Sequence, residues 1–276
     1  MAEEIEYEAL DADFLQLTQV TSNTTIKITE PFEDLDPYIS LLAISNKYGF
    51  LIIGSSEGFI YTQIKDCINQ LTSEEAKEDN VKSVELRNKI NVKIDEAKVQ
   101  QIALSEDQLT LIIGLKNNKI KLYNISQLIN EKENTKFFKE YSYESSIKSI
   151  RSNPKNNNTF AVLLENNKLK IENYKDNSTI ELTNDSTSMA WSLDGEFIFT
   201  CNNQGEIEKL SMSKEKSQTI ALPASLENFK IIFIVLQSDD VISALYFNKE
   251  ESIISTCIFI GVKIHATVIM IKNNAF

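Results

Sequence analysis

Short apolar runs, broken by polar turns, return along this chain in a fixed order. Each cycle opens with an apolar run that ends in Ser, crosses a polar turn into a second apolar run, and passes a turn ending in Gly or Asn into a third, alternating run. The four cycles are Leu41–Tyr61 (LLAISNKYGFLIIGSSEGFIY), Gln101–Tyr123 (QIALSEDQLTLIIGLKNNKIKLY), Ser149–Ile171 (SIRSNPKNNNTFAVLLENNKLKI) and Ser188–Leu210 (SMAWSLDGEFIFTCNNQGEIEKL). Ser45, Ser105 and Ser192 each stand thirteen residues before a turn residue, Gly58, Asn118 and Gly205, whereas Ser152 stands fifteen before Asn167 because NPKNNN lengthens its hairpin. Gly and Asn tolerate positive φ, so one is expected where a tight turn closes. The central runs, such as Leu51 to Ile53 and Phe160 to Val162, are too short for helices and rich in branched or aromatic residues. The third runs alternate, most clearly KIKLY from Lys119 and EIEKL from Glu206, as a strand with one wet face does.

A unit of this size cannot bury its own apolar face and must stack on its neighbours. The chain is therefore expected to be all-β, a β-propeller whose copies form antiparallel sheets of three or four strands around a common axis. A fifth unit is expected from Phe229, with KIIFIVL, the turn SDD at Ser238–Asp240 and VISALYF. Near the N-terminus, TTIKIT at Thr24–Thr29 predicts an edge strand. Trp191, beside a turn, is expected to pack between adjacent blades. Residues 1–13 form an acidic lead, 14–251 carry the blades, and 252–276 are apolar and of unassigned role. Two polar stretches, near 66–98 and 126–140, exceed the usual connection and are surface decorations or functional loops. The first predicts a short helix near Ser73–Lys77, capped by Ser73.

Composition adds that 276 residues, 42% hydrophobic and 25% charged, can bury a core without disulfides or metal. Cys67, Cys201 and Cys257 are far apart, lack CxxC spacing, and read as small core residues of a reducing compartment. The acidic start, MAEEIEYEALDADF, has neither the basic nor the apolar region of a signal peptide. A net charge of -12, with the basic residues scattered, argues against direct nucleic-acid binding and favours a basic protein partner. The acids equally serve solubility. Residues 252–276 are open to three readings: strands of a further blade, a truncated or misread gene end, or a membrane span. Lys263 and His265 fall in the middle of this stretch and argue against the span.

No enzyme chemistry is singled out. One histidine, His265, cannot build a multi-His metal site and is more readily core or surface than ligand. The seven glycines punctuate turns and form no phosphate loop. Carboxylates are plentiful, so a propeller hydrolase using two acids stays open, but no pair is marked. No catalytic, cofactor-binding or metal residue is expected.

The segment SLLAISNKYGFLIIGSSEGFIY at Ser40–Tyr61, IALSEDQLTL at Ile102–Leu111 and MAWSLDGEFI at Met189–Ile198 together resemble the amino-terminal β-propeller of the cytoplasmic-face nucleoporin called CAN in animals. SNKYG at Ser45–Gly49 is the most specific piece; WSLDG at Trp191–Gly195 is close to the WSPDG turn of many WD-type repeats. The resemblance runs from about Phe14 to Glu251. It implies a seven-bladed pattern, of which about five blades are traceable here, and a non-enzymatic platform on the cytoplasmic side of the nuclear pore. The implied partners are a DEAD-box RNA helicase that remodels exported messenger ribonucleoprotein, and other nucleoporins. In that family the helicase-contacting loops lie largely in later blades, so no docking residue carries over. The chain has no Phe-Gly dipeptide. A generic WD-like scaffold of another complex is the alternative.

Overall fold

The structure is a computed structural model and describes residues 25–27, 40–71, 83–182, 185–202, 206–212, 218–220, 230–238, 241–248, 253–260 and 263–272. The expected helix near Ser73–Lys77 lies outside them. Five four-stranded antiparallel sheets follow one another in chain order. The first is β2 (Leu42–Ser45), β3 (Phe50–Ser55), β4 (Gly58–Gln63) and β6 (Ile90–Lys93). The second is β7 (Val99–Leu104), β8 (Thr110–Leu115), β9 (Lys119–Asn124) and β10 (Lys139–Ser142). The third is β11 (Ile147–Ser152), β12 (Thr159–Leu164), β13 (Leu169–Asn173) and β14 (Ser178–Leu182). The fourth is β15 (Ser186–Trp191), β16 (Phe197–Asn202), β17 (Ile207–Ser211) and β18 (Gln218–Ile220). The fifth is β19 (Lys230–Ser238), β20 (Val241–Asn248), β21 (Ile253–Ile260) and β22 (Lys263–Lys272). Up-and-down sheets stacked in this way are the blades of a propeller.

The N-terminal strand departs from expectation. β1 (Thr25–Lys27) extends none of the blades; it pairs in parallel with β5 (Ser83–Glu85), a strand in the connection between β4 and β6. β1 gives the backbone of β5 its ladder partners. The two long polar stretches hold helices and outer strands. α1 (Ile64–Leu71) continues from β4, and its first amide donates to Gly49 O (2.8 Å). α2 (Ile125–Glu131) continues from β9, with Ile125 N donating to Leu109 O (2.9 Å) and Asn124 capping it by accepting from Ser126 N (2.8 Å). Each helix thus starts where a third strand ends, beside the turn between its blade's first two strands.

The core lies between the sheets. Ile52, Phe59 and Val92 of the first blade meet Val99, Ile102 and Leu111 of the second. Ile112, Ile120 and Leu122 of the second meet Ile150, Phe160 and Val162 of the third. Ala161, Leu163 and Ile171 of the third meet Met189, Trp191 and Ile198 of the fourth. Each buried aliphatic or aromatic side chain contributes about 1.5–3 kcal/mol, so interfaces of this kind hold the arc together. The pairing of first with second strand shifts register at Val99/Gln101, Ile147/Ser149, Ser186/Ser188 and Ile231/Phe233. A bulge at the same place in four blades re-aims the following side chains toward the preceding blade.

Trp191 sits where expected. It is buried between the third and fourth blades, and its indole Nε1 donates to Arg151 O (3.0 Å).

Candidate functional site

The turns between first and second strands lie on one side of the blades and are bonded in series. In the second blade Thr110 N donates to Ser105 Oγ (2.9 Å), and Ser105 Oγ donates to Asp107 Oδ1 (2.7 Å). In the fourth blade Phe197 N donates to Ser192 Oγ (2.9 Å), and Ser192 Oγ to Asp194 Oδ1 (2.5 Å). These bonds hold the Asp194 carboxyl below its ordinary range. The third blade is built differently from its sequence register. Ser152 faces back and donates to Leu104 O (2.6 Å), while the turn is closed by Asn153, whose Oδ1 accepts from Lys155 N and Asn156 N. The first blade lacks the Asp: SNKYG has Lys47 two residues after its Ser, and Gln108 of the second blade substitutes. Gln108 Oε1 accepts from Ser45 Oγ and Lys47 N, both at 2.9 Å.

The links run on from blade to blade. Asp107 N donates to Asn157 Oδ1 (3.1 Å), and Asn153 Nδ2 donates to Gly195 O (2.8 Å). Gly195 holds φ +70, and a Cβ there would lie 2.3 Å from Asn153 Oδ1, so both conformation and space require glycine. Exposed Leu109 and Leu193 project from this belt.

A second pattern lies on the third strands. The positions one and three past the turn residue are Lys119 and Lys121 in the second blade, and Lys168 and Lys170 in the third. Each pair is held between a Glu of the adjacent fourth strand and a Glu of the loop from the preceding blade. Lys121 Nζ lies 2.8 Å from Glu96 and 3.6 Å from Glu140; Lys170 Nζ lies 2.8 Å from Glu144 and 3.6 Å from Glu181. Lys170 brings the Glu144 carboxyl down to about 2. Lys121 is nearly buried, with its ammonium 4.2 Å from the Phe137 ring centre. The same positions are Phe59 and Tyr61 in the first blade, and Glu206 and Glu208 in the fourth.

A cleft of about 420 Å³ lies at the rim of the first blade, lined by Phe50, Tyr61, Asp66, Arg87, Ile90 and Ile129 among others. Tyr61 OH donates to Leu128 O (2.6 Å) beneath it, tying α2 to the first blade.

Catalytic chemistry finds little support in these groups. Glu172 is the buried acid: burial raises its carboxyl, which accepts from Thr179 Oγ1 (2.6 Å) and Tyr143 OH (3.4 Å) and so is satisfied as a structural group. Cys67 and Cys201 are free and buried, and burial pushes both thiols up, away from the reactive thiolate. His265 lies on β22 opposite Ile258. Ser238 closes β19 against Val241, with the two Asp of that turn outside the described residues. Among the described residues no three His, Cys, Asp or Glu come together as a metal site, and no helix is long and apolar enough to cross a membrane.

The sequence matches the family model described as NUP159/214 beta propeller over residues 36–253. No curated protein sequence matches the chain. Among solved structures, the N-terminal domain of Nup159 superposes with a TM-score of 0.61 at 14% identity, covering 89% of this chain and 71% of that one. A chain of the S. cerevisiae complex of a Dbp5 variant bound to Nup159, a Gle1 variant, IP6 and ADP gives 0.57 at 13% identity, covering 86% and 68%. The Cps50 (Swd1) β-propeller domain of Myceliophteria thermophila gives 0.53 at 13% identity, covering 79% and 64%. The chain therefore spans about two-thirds of the length of these propellers.

Proposed function

This chain belongs to the NUP159/214 β-propeller family, and from that premise we propose that it serves as a non-enzymatic docking platform at the cytoplasmic face of the nuclear pore. There it recruits a DEAD-box ATPase and so supports messenger RNA export. The observation that carries the reading is the family match across 36–253, which takes in the first four blades and the first two strands of the fifth. The structure of a Dbp5 variant bound to Nup159 supports the choice of partner class. Charge agrees with it: a chain of net charge -12 complements a basic protein face better than it complements RNA. On this reading the turn belt and rim cleft are recognition surfaces, and the ion-paired lysines fix the blades that present them.

Affinity capture of the tagged protein from its own cells tests the proposal. Nucleoporins and a DEAD-box ATPase are expected to co-purify, and imaging should show a punctate rim on the nuclear envelope. Capture of a different assembly, with no pore component, would replace this reading with the generic scaffold.

A further inference from the structure

The walls of the rim cleft are bonded to one another in series. Arg87 N donates to Gln70 Oε1 (3.3 Å) and ties the segment before β6 to α1. Thr62 Oγ1 donates to Asn88 O (2.6 Å) and ties the same segment to β4. Tyr61 OH, on Leu128 O (2.6 Å), ties β4 in turn to α2. A cleft held in this way is formed before anything enters it, so a ligand need not bear the cost of ordering it.

Its lining has two parts of different chemistry. Phe50, Tyr61 and Thr62 are the buried part, and the two rings meet edge to face with their centres 5.4 Å apart. The hydroxyl protons of Tyr61 and Thr62 already go to carbonyls, so a polar group brought here would lose water without gaining a donor from either. An apolar group fits, and an aromatic one also gains ring contacts. The outer part is charged. Arg87 and Lys89 line it with a single acid, Asp66, the reverse of the balance of 28 bases to 40 acids in the whole chain. Ile129 of α2, 39% exposed, adds an apolar lip.

We propose, resting on the reading of this cleft as a recognition surface, that it binds a short acidic segment of a partner protein: one aromatic side chain enters against Phe50 and Tyr61, and flanking carboxylates face Arg87 and Lys89. Charge complementarity selects the sign of the flanks, and the satisfied hydroxyls select the apolar anchor. The volume of about 420 Å³ is within the range of pockets that enclose a ligand group of this size. The cleft thereby prefers a partner of opposite charge to the basic one that the net charge of -12 favours, so the two need not compete.

Isoleucine-methyl NMR of the whole chain, titrated with the peptide acetyl-DEFDE-amide, is the test. The methyl signals of Ile90 and Ile129 are expected to shift saturably. Acetyl-DEADE-amide should bind about 10- to 100-fold more weakly, for loss of the buried ring, and acetyl-KKFKK-amide about tenfold more weakly, for the reversed flanks. Ile129→Glu, at an exposed position, should melt like the parent and weaken the acidic peptide about tenfold, read at Ile90. Should that variant melt lower, Arg87→Glu decides instead: it should weaken the acidic peptide and strengthen the lysine one, an exchange that a purely structural role would not produce. Absence of a shift at Ile90 and Ile129 overturns the proposal, as does equal binding of the acidic and lysine peptides, which would make the cleft a site for any apolar group. No pore component enters this titration, so its failure leaves the platform reading standing, and a failed capture from cells leaves the cleft assignment standing.

Discussion

Trp191 offers the sharpest check on how the blades are joined. In Trp191→Ala the indole leaves a space among Leu163, Leu169, Ile171 and Met189, where truncating a large aromatic costs about 3–5 kcal/mol. The same change removes the Nε1 bond of 3.0 Å and leaves Arg151 O without that donor, a loss of about 1–2 kcal/mol that overlaps with the first. Trp191→Phe separates the two effects, because it keeps most of the apolar contact and loses only the donor; about 1–2 kcal/mol is expected. Chemical denaturation followed by far-ultraviolet circular dichroism reads both variants without relying on the missing indole. For a chain of this size the Ala variant should melt roughly 5–15 °C lower. If it melts like its parent yet loses partner binding, the indole belongs to a recognition surface and the inter-blade assignment fails.

Gly195→Ala combines a strained φ with a contact of 2.3 Å to Asn153 Oδ1, so a loss of about 1–3 kcal/mol is expected in thermal melts, with partial recovery in the Gly195→Ala, Asn153→Ala pair. The pH profile carries two opposite signs. Lys170 lowers the Glu144 carboxyl to about 2, so its stabilisation is present above the ordinary 4.5 and is lost as pH falls toward 2; Glu144→Gln should flatten that acid limb. Burial raises the Glu172 carboxyl above 4.5, so its folded form binds the proton more readily and stability falls as pH rises through the raised value; Glu172→Gln should flatten the decline on the neutral side, and an unaltered slope would refute the assignment. Binding of these five blades to the DEAD-box ATPase is expected to lose affinity as salt rises, and to tighten in a chain carrying further blades. Calorimetry at two ionic strengths checks this, and tight, salt-independent binding by the present chain would contradict it.

The repeat was legible because the chemistry that closes each hairpin is local. Ser105 and Ser192 accept from amides five residues on, within one turn, so the template shows in the letters. The third copy misleads by one residue: Asn153 performs the closure with its amide oxygen, and the adjacent Ser152 is bonded across to the second blade. Outer strands such as Lys139–Ser142 and Ser178–Leu182 carry no clear signal, being short, largely polar and partly exposed. Their place is set by cross-strand partners, Tyr141 with Ile120 and Ile180 with Ile171. The pairing of Thr25–Lys27 with Ser83–Glu85 joins residues far apart in the chain, which no local period encodes. The rim cleft has no local signal for a related reason: it gathers Phe50, Tyr61, Asp66, Arg87 and Ile129 from separate elements, a grouping that no local period encodes.

The serial bonding of the turns constrains how such a chain can change over generations. Gln108 completes the turn of the blade before it, Asn157 holds the turn at Asp107, and Asn153 fixes the carbonyl of Gly195 in the blade after it. Removing or transplanting one blade would strip a neighbour of its closing group, so single-blade exchange carries a double penalty. The connections from third to fourth strand also touch neighbouring blades, through Tyr61 OH on Leu128 O and Tyr174 OH against Thr110 Oγ1, but by side chains rather than by completing a turn, and it is there that the first two blades carry α1 and α2. New length, and with it new partners, is therefore admitted at the rim, while the turn side is held to its inherited spacing.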